Sequence, residues 1–168
     1  MTSVAYLNAV ANWAKSPPPP FAKGGDNRDL HRRPGPALRN NYCGGILMAL
    51  KVMIVDDSLF MRKMLCDLLE KEGYQVVAEA SDGVEAVAKY QEARPELTTL
   101  DIVMPNKTGI EALQEIMAFD PAARVVMCSA VGQESFTAAA AQAGARAFIL
   151  KPFNPELVVR VLKEACEG

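Results

Sequence analysis

Five polar residues each follow a short apolar run that has the composition of a β-strand. Asp56 and Asp57 follow the first run, Asp101 the third, Ser129 the fourth and Lys151 the fifth. In an open parallel sheet the carboxyl ends of all strands lie at one edge, so we expect these side chains to converge there. Three carboxylates, a hydroxyl and an ammonium suit the transfer of a phosphoryl group to a carboxylate.

Carboxylates crowded at one sheet edge need a cation among them, because like charges raise one another's pKa. Mg²⁺ fits best, since it prefers oxygen ligands, water and phosphate in octahedral geometry. One acid must then be the nucleophile. Asp56 and Asp57 are adjacent on the first strand and are placed as a metal-binding pair. Asp101 lies on the middle strand facing Ser129 and Lys151, and we predict it to be the nucleophile.

Each of these residues also has an ordinary structural interpretation. An Asp after a strand is commonly a turn former or an N-cap, and Asp56-Asp57 could be a charge pair at a helix N-terminus. Ser129 could be a turn hydroxyl, and Lys151 a solvated surface lysine. The chemical interpretation is favoured because all of these residues end strands within one alternating pattern.

The elements that position these residues alternate regularly from Met48 onward. Apolar runs predict strands over residues 50–55, 74–80, 97–100, 124–128 and 147–150. Helical spacing predicts a helix between Ser58 and Gly73, helices over 83–92, 109–118 and 134–143, and a last helix capped by Asn154 and opened by Pro155. Five β-α pairs predict a three-layer α/β sandwich with a doubly wound parallel sheet and right-handed crossovers.

Residues 1–47 have a different composition. Six of the eleven prolines lie there, and six basic residues outnumber two acidic ones. Such a segment cannot bury enough apolar surface to offset its ordering entropy, so we predict a disordered Pro/Gly-rich basic extension. Pro17 to Pro20 is interpreted as a stiff linker, with a polyproline ligand as the alternative. Residues 43–48 can be encoded by a purine-rich stretch just before a start codon, and our hypothesis is that synthesis begins at Met48.

The remaining residues are acidic, with eighteen acidic and twelve basic side chains, which argues against nucleic acid as the main partner. The four cysteines have no C-x-x-C spacing, so neither a zinc site nor a disulfide framework is indicated. No apolar run approaches the roughly 20 residues that span a bilayer. We therefore expect a soluble cytoplasmic protein without membrane insertion.

From residue 48 to residue 168 the chain resembles a response-regulator receiver domain of the single-domain chemotaxis type. The matching motifs are Val55 to Ser58 with Met61-Arg62, Leu100 to Pro105 with Gly109, Ser129-Ala130, and Lys151 to Phe153. The resemblance implies a flavodoxin-like fold with strand order 2-1-3-4-5. It also implies that Asp101 is the phosphoacceptor, that Asp57, Asp101 and the Val103 carbonyl bind Mg²⁺ directly, and that Asp56 binds the ion through water.

The family also implies a conformational switch. Phosphorylation would pull the Ser129 hydroxyl toward the phosphoryl group, and Phe148, three residues before Lys151, would swing inward. Phe148 lacks the hydroxyl of the best-known chemotaxis relatives, and it also has an ordinary core interpretation. Val103 and Val131 stand at the positions that tune attack by water, and this apolar pair predicts slow self-dephosphorylation.

The predicted function is a phosphorylation-activated switch of a two-component system, which accepts phosphate from a histidine kinase on Asp101. It would promote its own phosphorylation and dephosphorylation without being an enzyme. Residues 56–62 resemble chemotaxis-type receivers, which predicts a motor-switch or chemosensory target at the face formed by the fourth helix, fifth strand and fifth helix.

Three alternatives compete with this prediction. The first is a phosphorelay intermediate, and the second is a phosphorylation-independent interaction module. The third, a Mg²⁺-dependent phosphatase, would need a second Asp where Val103 stands. A kinase is excluded because the chain lacks a phosphate-cradling Gly loop and its only histidine, His31, lies in the extension.

Overall fold

A computed structural model describes residues 42–43, 46–47, 49–130 and 134–167. Strands and helices alternate along the chain from residue 51. The strands are β1 (Lys51–Val55), β2 (Gln75–Ala80), β3 (Leu97–Asp101), β4 (Val125–Ser129) and β5 (Ala147–Leu150). The helices are α1 (Leu59–Lys71), α2 (Gly83–Ala93), α3 (Gly109–Phe119), α4 (Glu134–Gln142) and α5 (Pro155–Glu167).

The five strands form one parallel sheet in the order β2-β1-β3-β4-β5. The chain therefore proceeds outward from β1 on one side and from β3 on the other, and the direction of winding reverses between these two strands. Such a switch point opens a crevice at the carboxyl ends of the strands. The predicted doubly wound, flavodoxin-like fold with order 2-1-3-4-5 is confirmed.

Helices cover both faces of the sheet and produce the predicted three layers. Alternate residues of β1 point to opposite faces, so that Met53 and Val55 belong to one buried cluster and Val52 and Ile54 to the other. The first cluster is completed by α2, α3 and α4, and the second by α1 and α5. Burial on both faces explains why the strands are continuous apolar runs.

Side-chain caps determine where several helices begin. The Ser58 hydroxyl accepts from the Met61 amide at 3.4 Å, and the Asn154 side chain accepts from the Leu157 amide at 3.1 Å, which confirms both predicted N-caps. Thr108 forms a capping box with Glu111 at the start of α3. This capping box is a local S/T-x-x-E pattern that we did not predict.

Some predicted element boundaries are wrong by one residue. Tyr74 was predicted to begin the second strand, but its amide donates to the Leu69 carbonyl at 3.0 Å and closes the end of α1, so β2 begins at Gln75. Leu50 and Arg124 likewise precede their strands, and α4 ends one residue before the predicted Ala143. The backbone hydrogen bonds at each end, and not the apolar run alone, set the limits of these elements.

Helices α2 and α3 are joined at the ends that lie far from the carboxyl edge of the sheet. The Tyr90 hydroxyl donates to Asp120 at 3.0 Å, and the guanidinium of Arg94 lies 4.1 Å from the centre of the Phe119 ring. Tyr90 is also buried in the core. These contacts fasten the two helices to each other at that end.

Most of the predicted extension lies outside the described residues, including the proline run, His31 and the proposed start at Met48. Within it, residues 42–43 pair with residues 46–47 as a short antiparallel ladder. The predicted residue Val131 also lies outside the described part of the chain. The disorder of residues 1–47 therefore stays a prediction.

The central strand β3 contains two buried hydroxyl groups. Thr98 and Thr99 are 0% and 1% exposed, and neither Oγ1 has a hydrogen-bond partner among the described residues. Because they are consecutive, one hydroxyl lies on each face of the sheet. A buried hydroxyl without a partner loses its hydration without compensation.

We therefore predict that Thr99→Val and Thr98→Val each increase the free energy of unfolding, by about 1 kcal/mol, because valine has the same shape without the hydroxyl. Urea unfolding measures the change. Thr108→Val is the matched control, since that hydroxyl caps α3 and its loss should lower stability by about 1 kcal/mol. A loss of stability in Thr99→Val equal to that of the control would contradict the prediction.

Candidate functional site

The three predicted carboxylates meet at the carboxyl edge of the sheet. One oxygen from each of Asp56, Asp57 and Asp101 lies within 4.8 Å of the others. Asp56 and Asp101 are 1% and 5% exposed, whereas Asp57 is exposed to solvent. Asp56 and Asp57 follow β1, and Asp101 is the last residue of the neighbouring β3, so the switch point of the sheet brings them together.

Lys151 provides the cation of the site. It directly follows β5, and its Nζ donates to Asp101 Oδ2 at 2.6 Å and forms an ion pair with Asp56 Oδ2, also at 2.6 Å. The lysine side chain is only 13% exposed. The interpretation of Lys151 as a solvated surface lysine is therefore wrong.

Burial and charge have opposite effects on these groups. Burial raises the pKa of Asp101 above its ordinary value, although the hydrogen bond and charge of Lys151 act in the other direction. Burial alone would lower the pKa of Lys151, but the hydrogen bonds and charges of Asp101 and Asp56 outweigh it and raise that pKa. Lys151 is therefore a fixed positive charge at neutral pH.

The acidic group fits a divalent cation. Three carboxylates face one ammonium, and an oxygen-only set of this size is what Mg²⁺ binds. The exposed Asp57 lies on the solvent side of the buried Asp56 and Asp101. An ion could thus reach the three carboxylates from the solvent side.

Close backbone packing holds Asp101 in place. The Gly109 amide donates to the Ile102 carbonyl at 2.9 Å, and a Cβ at Gly109 would overlap the Asp101 carbonyl oxygen. The first residue of α3 therefore lies directly against the backbone of Asp101. Only glycine permits this approach.

The loop after Asp101 is tied to the start of α2. Asn106, which adopts a φ of 63°, donates from Nδ2 to Asp82 Oδ2 at 2.9 Å. The other oxygen of Asp82 caps α2 by accepting from the Val84 and Glu85 amides, both at 2.8 Å. One carboxylate thus joins the two loops, and hydrogen bonds to the Glu85 amide and to Asn106 lower its pKa. We did not predict Asp82 or Asn106, because neither ends a strand.

Ser129 and Phe148 lie on the neighbouring strands β4 and β5. Ser129 ends β4, is 1% exposed, and accepts from the Lys151 amide through its carbonyl at 2.8 Å. Phe148 lies on β5 beside Met127 and is 3% exposed within the core cluster. Its ring is thus buried in this conformation. Val103, by contrast, is 59% exposed on the loop that follows Asp101.

Comparison with known proteins agrees with this geometry. Residues 52–163 match the family described as the response regulator receiver domain. The chemotaxis protein CheY of Thermotoga maritima is 50% identical over 117 residues, which cover 70% of this chain and 98% of that protein. CheY of Bacillus subtilis is also 50% identical over 117 residues, with 70% and 98% covered.

The chain therefore belongs to the response regulator receiver family. It is a phosphorylation-activated signalling switch of the two-component type, homologous to the CheY response regulators of chemotaxis.

Solved structures lead to the same family. A chain of the CheX-CheY-BeF3-Mg complex from Borrelia burgdorferi has a TM-score of 0.67 and 40% identity, covering 68% of this chain and 87% of that one. The response regulator domain of Thermotoga maritima CheB has a TM-score of 0.64 and 38% identity, covering 70% and 97%. Receiver domains bind Mg²⁺ and interact with kinases and downstream targets.

Within the described part of this chain, none of the helices has the length and hydropathy needed to cross a bilayer.

Gly109→Ala should destabilise the protein by about 3 kcal/mol or more, because the added methyl group would overlap backbone and cannot be relieved by a side-chain rotation. Equilibrium unfolding in urea measures the loss. Gly73→Ala is the control: Gly73 has a φ of 84° and open space around the added carbon, so only the backbone strain of about 1 kcal/mol is expected. Equal losses in the two variants would show that the contact with Asp101 is not tight.

Proposed function

We propose that Asp101 accepts the phosphoryl group and that Lys151, Ser129 and a Mg²⁺ ion assist the transfer. The proposal is supported above all by the 2.6 Å hydrogen bond from Lys151 to Asp101, within a group of three carboxylates of which two are buried. Asp101 lies at the switch point of the sheet, where α/β proteins bind their ligands.

In the transfer step a carboxylate oxygen of Asp101 attacks the phosphorus of a phosphohistidine on the kinase. The new O–P bond forms as the P–N bond breaks, and the electron pair of that bond stays on the imidazole nitrogen. Lys151 and the Ser129 hydroxyl would then hold the transferred phosphoryl oxygens. Charge stabilisation and positioning suffice for such a reaction, so the chain promotes a transfer to itself and is not an enzyme that acts on other molecules.

The proposed metal ligands are the carboxylates of Asp57 and Asp101 and the carbonyl of Val103, with Asp56 acting through water. Mg²⁺ bound there would neutralise charge on the phosphoryl oxygens as they approach Asp101. The loop that carries Val103 is held by the Asn106–Asp82 hydrogen bond, which limits how far that carbonyl can move. This restraint would favour one position of the proposed third ligand before an ion arrives.

The proposed output is a change at the face formed by α4, β5 and α5. Phosphorylation would draw the Ser129 hydroxyl toward Asp101 and stabilise the buried position that the Phe148 ring has here over outward rotamers. The target that binds this face would be a motor-switch or chemosensory protein, and the phosphodonor a histidine kinase. We place the protein in the cytoplasm, where such kinases present their phosphohistidine.

Incubation with a small-molecule phosphodonor and Mg²⁺ should add one phosphoryl group, detectable by intact-mass measurement. The adduct should be lost in Asp101→Asn and on removal of Mg²⁺ with a chelator, and formed much more slowly in Lys151→Ala. Circular dichroism of each variant checks that the fold is intact. An adduct of the same yield in folded Asp101→Asn would refute the assignment of the acceptor.

The phosphorylated protein should lose its phosphate slowly, because the exposed Val103 side chain cannot hydrogen-bond an attacking water. Val131 is the second apolar residue predicted to act in this way. The double variant Val103→Asn with Val131→Gln should shorten the half-life of the adduct severalfold, as followed by mass measurement after removal of the phosphodonor. Val84→Asn, another exposed valine at the start of α2, is the control. An unchanged half-life in the double variant would show that these positions do not control hydrolysis.

A further inference from the structure

One conspicuous residue of the first helix has no part in the proposed transfer. Arg62 belongs to α1, yet its side chain extends back to the turn that carries the acidic pair. Its Nη1 donates to the Asp56 carbonyl at 2.7 Å and lies 3.4 Å from the Asp57 carbonyl. Its Nε lies 3.4 Å from Glu79 Oε2 on the neighbouring strand β2.

These contacts complete the support of the acidic turn. The Asp56 amide donates to the Ala80 carbonyl at 3.1 Å, and the Ser58 amide donates to Asp56 Oδ1 at 2.9 Å. Beyond the end of β1 the carbonyls of Asp56 and Asp57 leave the strand ladder, and Arg62 supplies a donor to both. The orientation of these two peptide groups sets the direction in which the two carboxylates leave the backbone.

The contact with Glu79 is the weaker of the two interactions. The Glu79 side chain is 43% exposed, and an ion pair of that exposure at 3.4 Å is largely screened by water. The Arg62 side chain is only 14% exposed, and charge-assisted hydrogen bonds to carbonyls persist where water is excluded. Glu79 therefore orients the guanidinium, and the hydrogen bonds to the carbonyls of Asp56 and Asp57 fix the backbone of the turn.

We propose that Arg62 is a positioning residue for the metal site, which fixes the backbone of Asp56 and Asp57 so that their carboxylates converge with Asp101. The inference rests on the proposed function, because it assumes that these acids hold Mg²⁺. A residue that orients ligands in this way affects metal affinity about tenfold or more without touching the ion.

The direction in which Mg²⁺ affinity changes when Arg62 is removed distinguishes a positioning role from a simple charge effect. A guanidinium near the acidic group repels a divalent cation, so its removal would tighten Mg²⁺ binding if charge were its only influence. If Arg62 positions the acids, its removal weakens binding instead. Lysine keeps the charge but lacks the planar fork that serves two carbonyls and Glu79, so Arg62→Lys should also weaken binding.

The test compares Arg62→Ala, Arg62→Lys and Glu79→Gln in the full chain, with Lys63→Ala as the control. Lys63 is the exposed next residue of the same helix, and its loss changes the net charge equally. Isothermal titration calorimetry with MgCl₂ well below the unfolding temperature should show a roughly tenfold weaker Kd for Arg62→Ala and a smaller loss for Glu79→Gln. Lys63→Ala should bind as the wild type does, or slightly more tightly.

Hydrogen exchange of the metal-free protein gives a second readout that does not depend on the ion. The Ser58 amide, which donates to Asp56, should exchange faster in the Arg62 variants. Its exchange rate should be unchanged in Lys63→Ala. Tightened or unaltered Mg²⁺ binding in Arg62→Ala, together with unaltered Ser58 exchange, would overturn the inference. If the wild type does not bind Mg²⁺, the proposed metal site is wrong and the exchange result alone decides the role of Arg62. If Arg62→Ala does not fold, Arg62→Lys and Glu79→Gln decide in its place.

Discussion

The structure depends on holding three carboxylates together at one edge of a sheet against their mutual repulsion. Lys151 balances part of that charge by contacting Asp56 and Asp101, each at 2.6 Å. A single ammonium cannot balance three acids, so the group retains an excess of negative charge in a largely buried place. That excess negative charge favours binding of a divalent ion. Without the ion, it would repel the negatively charged phosphoryl group.

A rigid backbone around the three acids opposes their mutual repulsion. The acids lie at the ends of β1 and β3, adjacent strands whose residues are buried on both faces, so their backbones have little freedom. Gly109 lets α3 begin directly against the Asp101 backbone, and Arg62 holds the carbonyls of the acidic pair. Preorganisation of this kind means that no large rearrangement has to accompany transfer of the phosphoryl group.

The architecture was predictable because apolar periodicity, glycines and caps specify one β-α unit at a time, and a parallel sheet then brings all strand ends to one edge. Asp56, Asp57, Asp101, Ser129 and Lys151 could therefore be predicted to end strands at that edge. Asp82, Asn106 and the contacts of Arg62 could not be predicted, because their partners lie on other loops and leave no periodic signal in the sequence. Tyr74 was wrongly assigned to a strand, since composition does not show that its amide will bond to the end of a helix. The buried hydroxyls of Thr98 and Thr99 were missed for a similar reason, because threonine is common in strands and its partners cannot be counted from sequence.

The fastening of α2 to α3 has a mechanical consequence. At the carboxyl edge of the sheet, Asn106 in the loop before α3 is bonded to Asp82 at the start of α2. At the opposite end, the two helices are joined through Tyr90 with Asp120 and Arg94 with Phe119. A pair of helices held together at both ends resists bending and moves as one unit. In α4, by contrast, the described side chains that pack on the core include the small, buried Ala140 and the partly buried Phe136. We therefore expect the α2–α3 pair to be more rigid than α4.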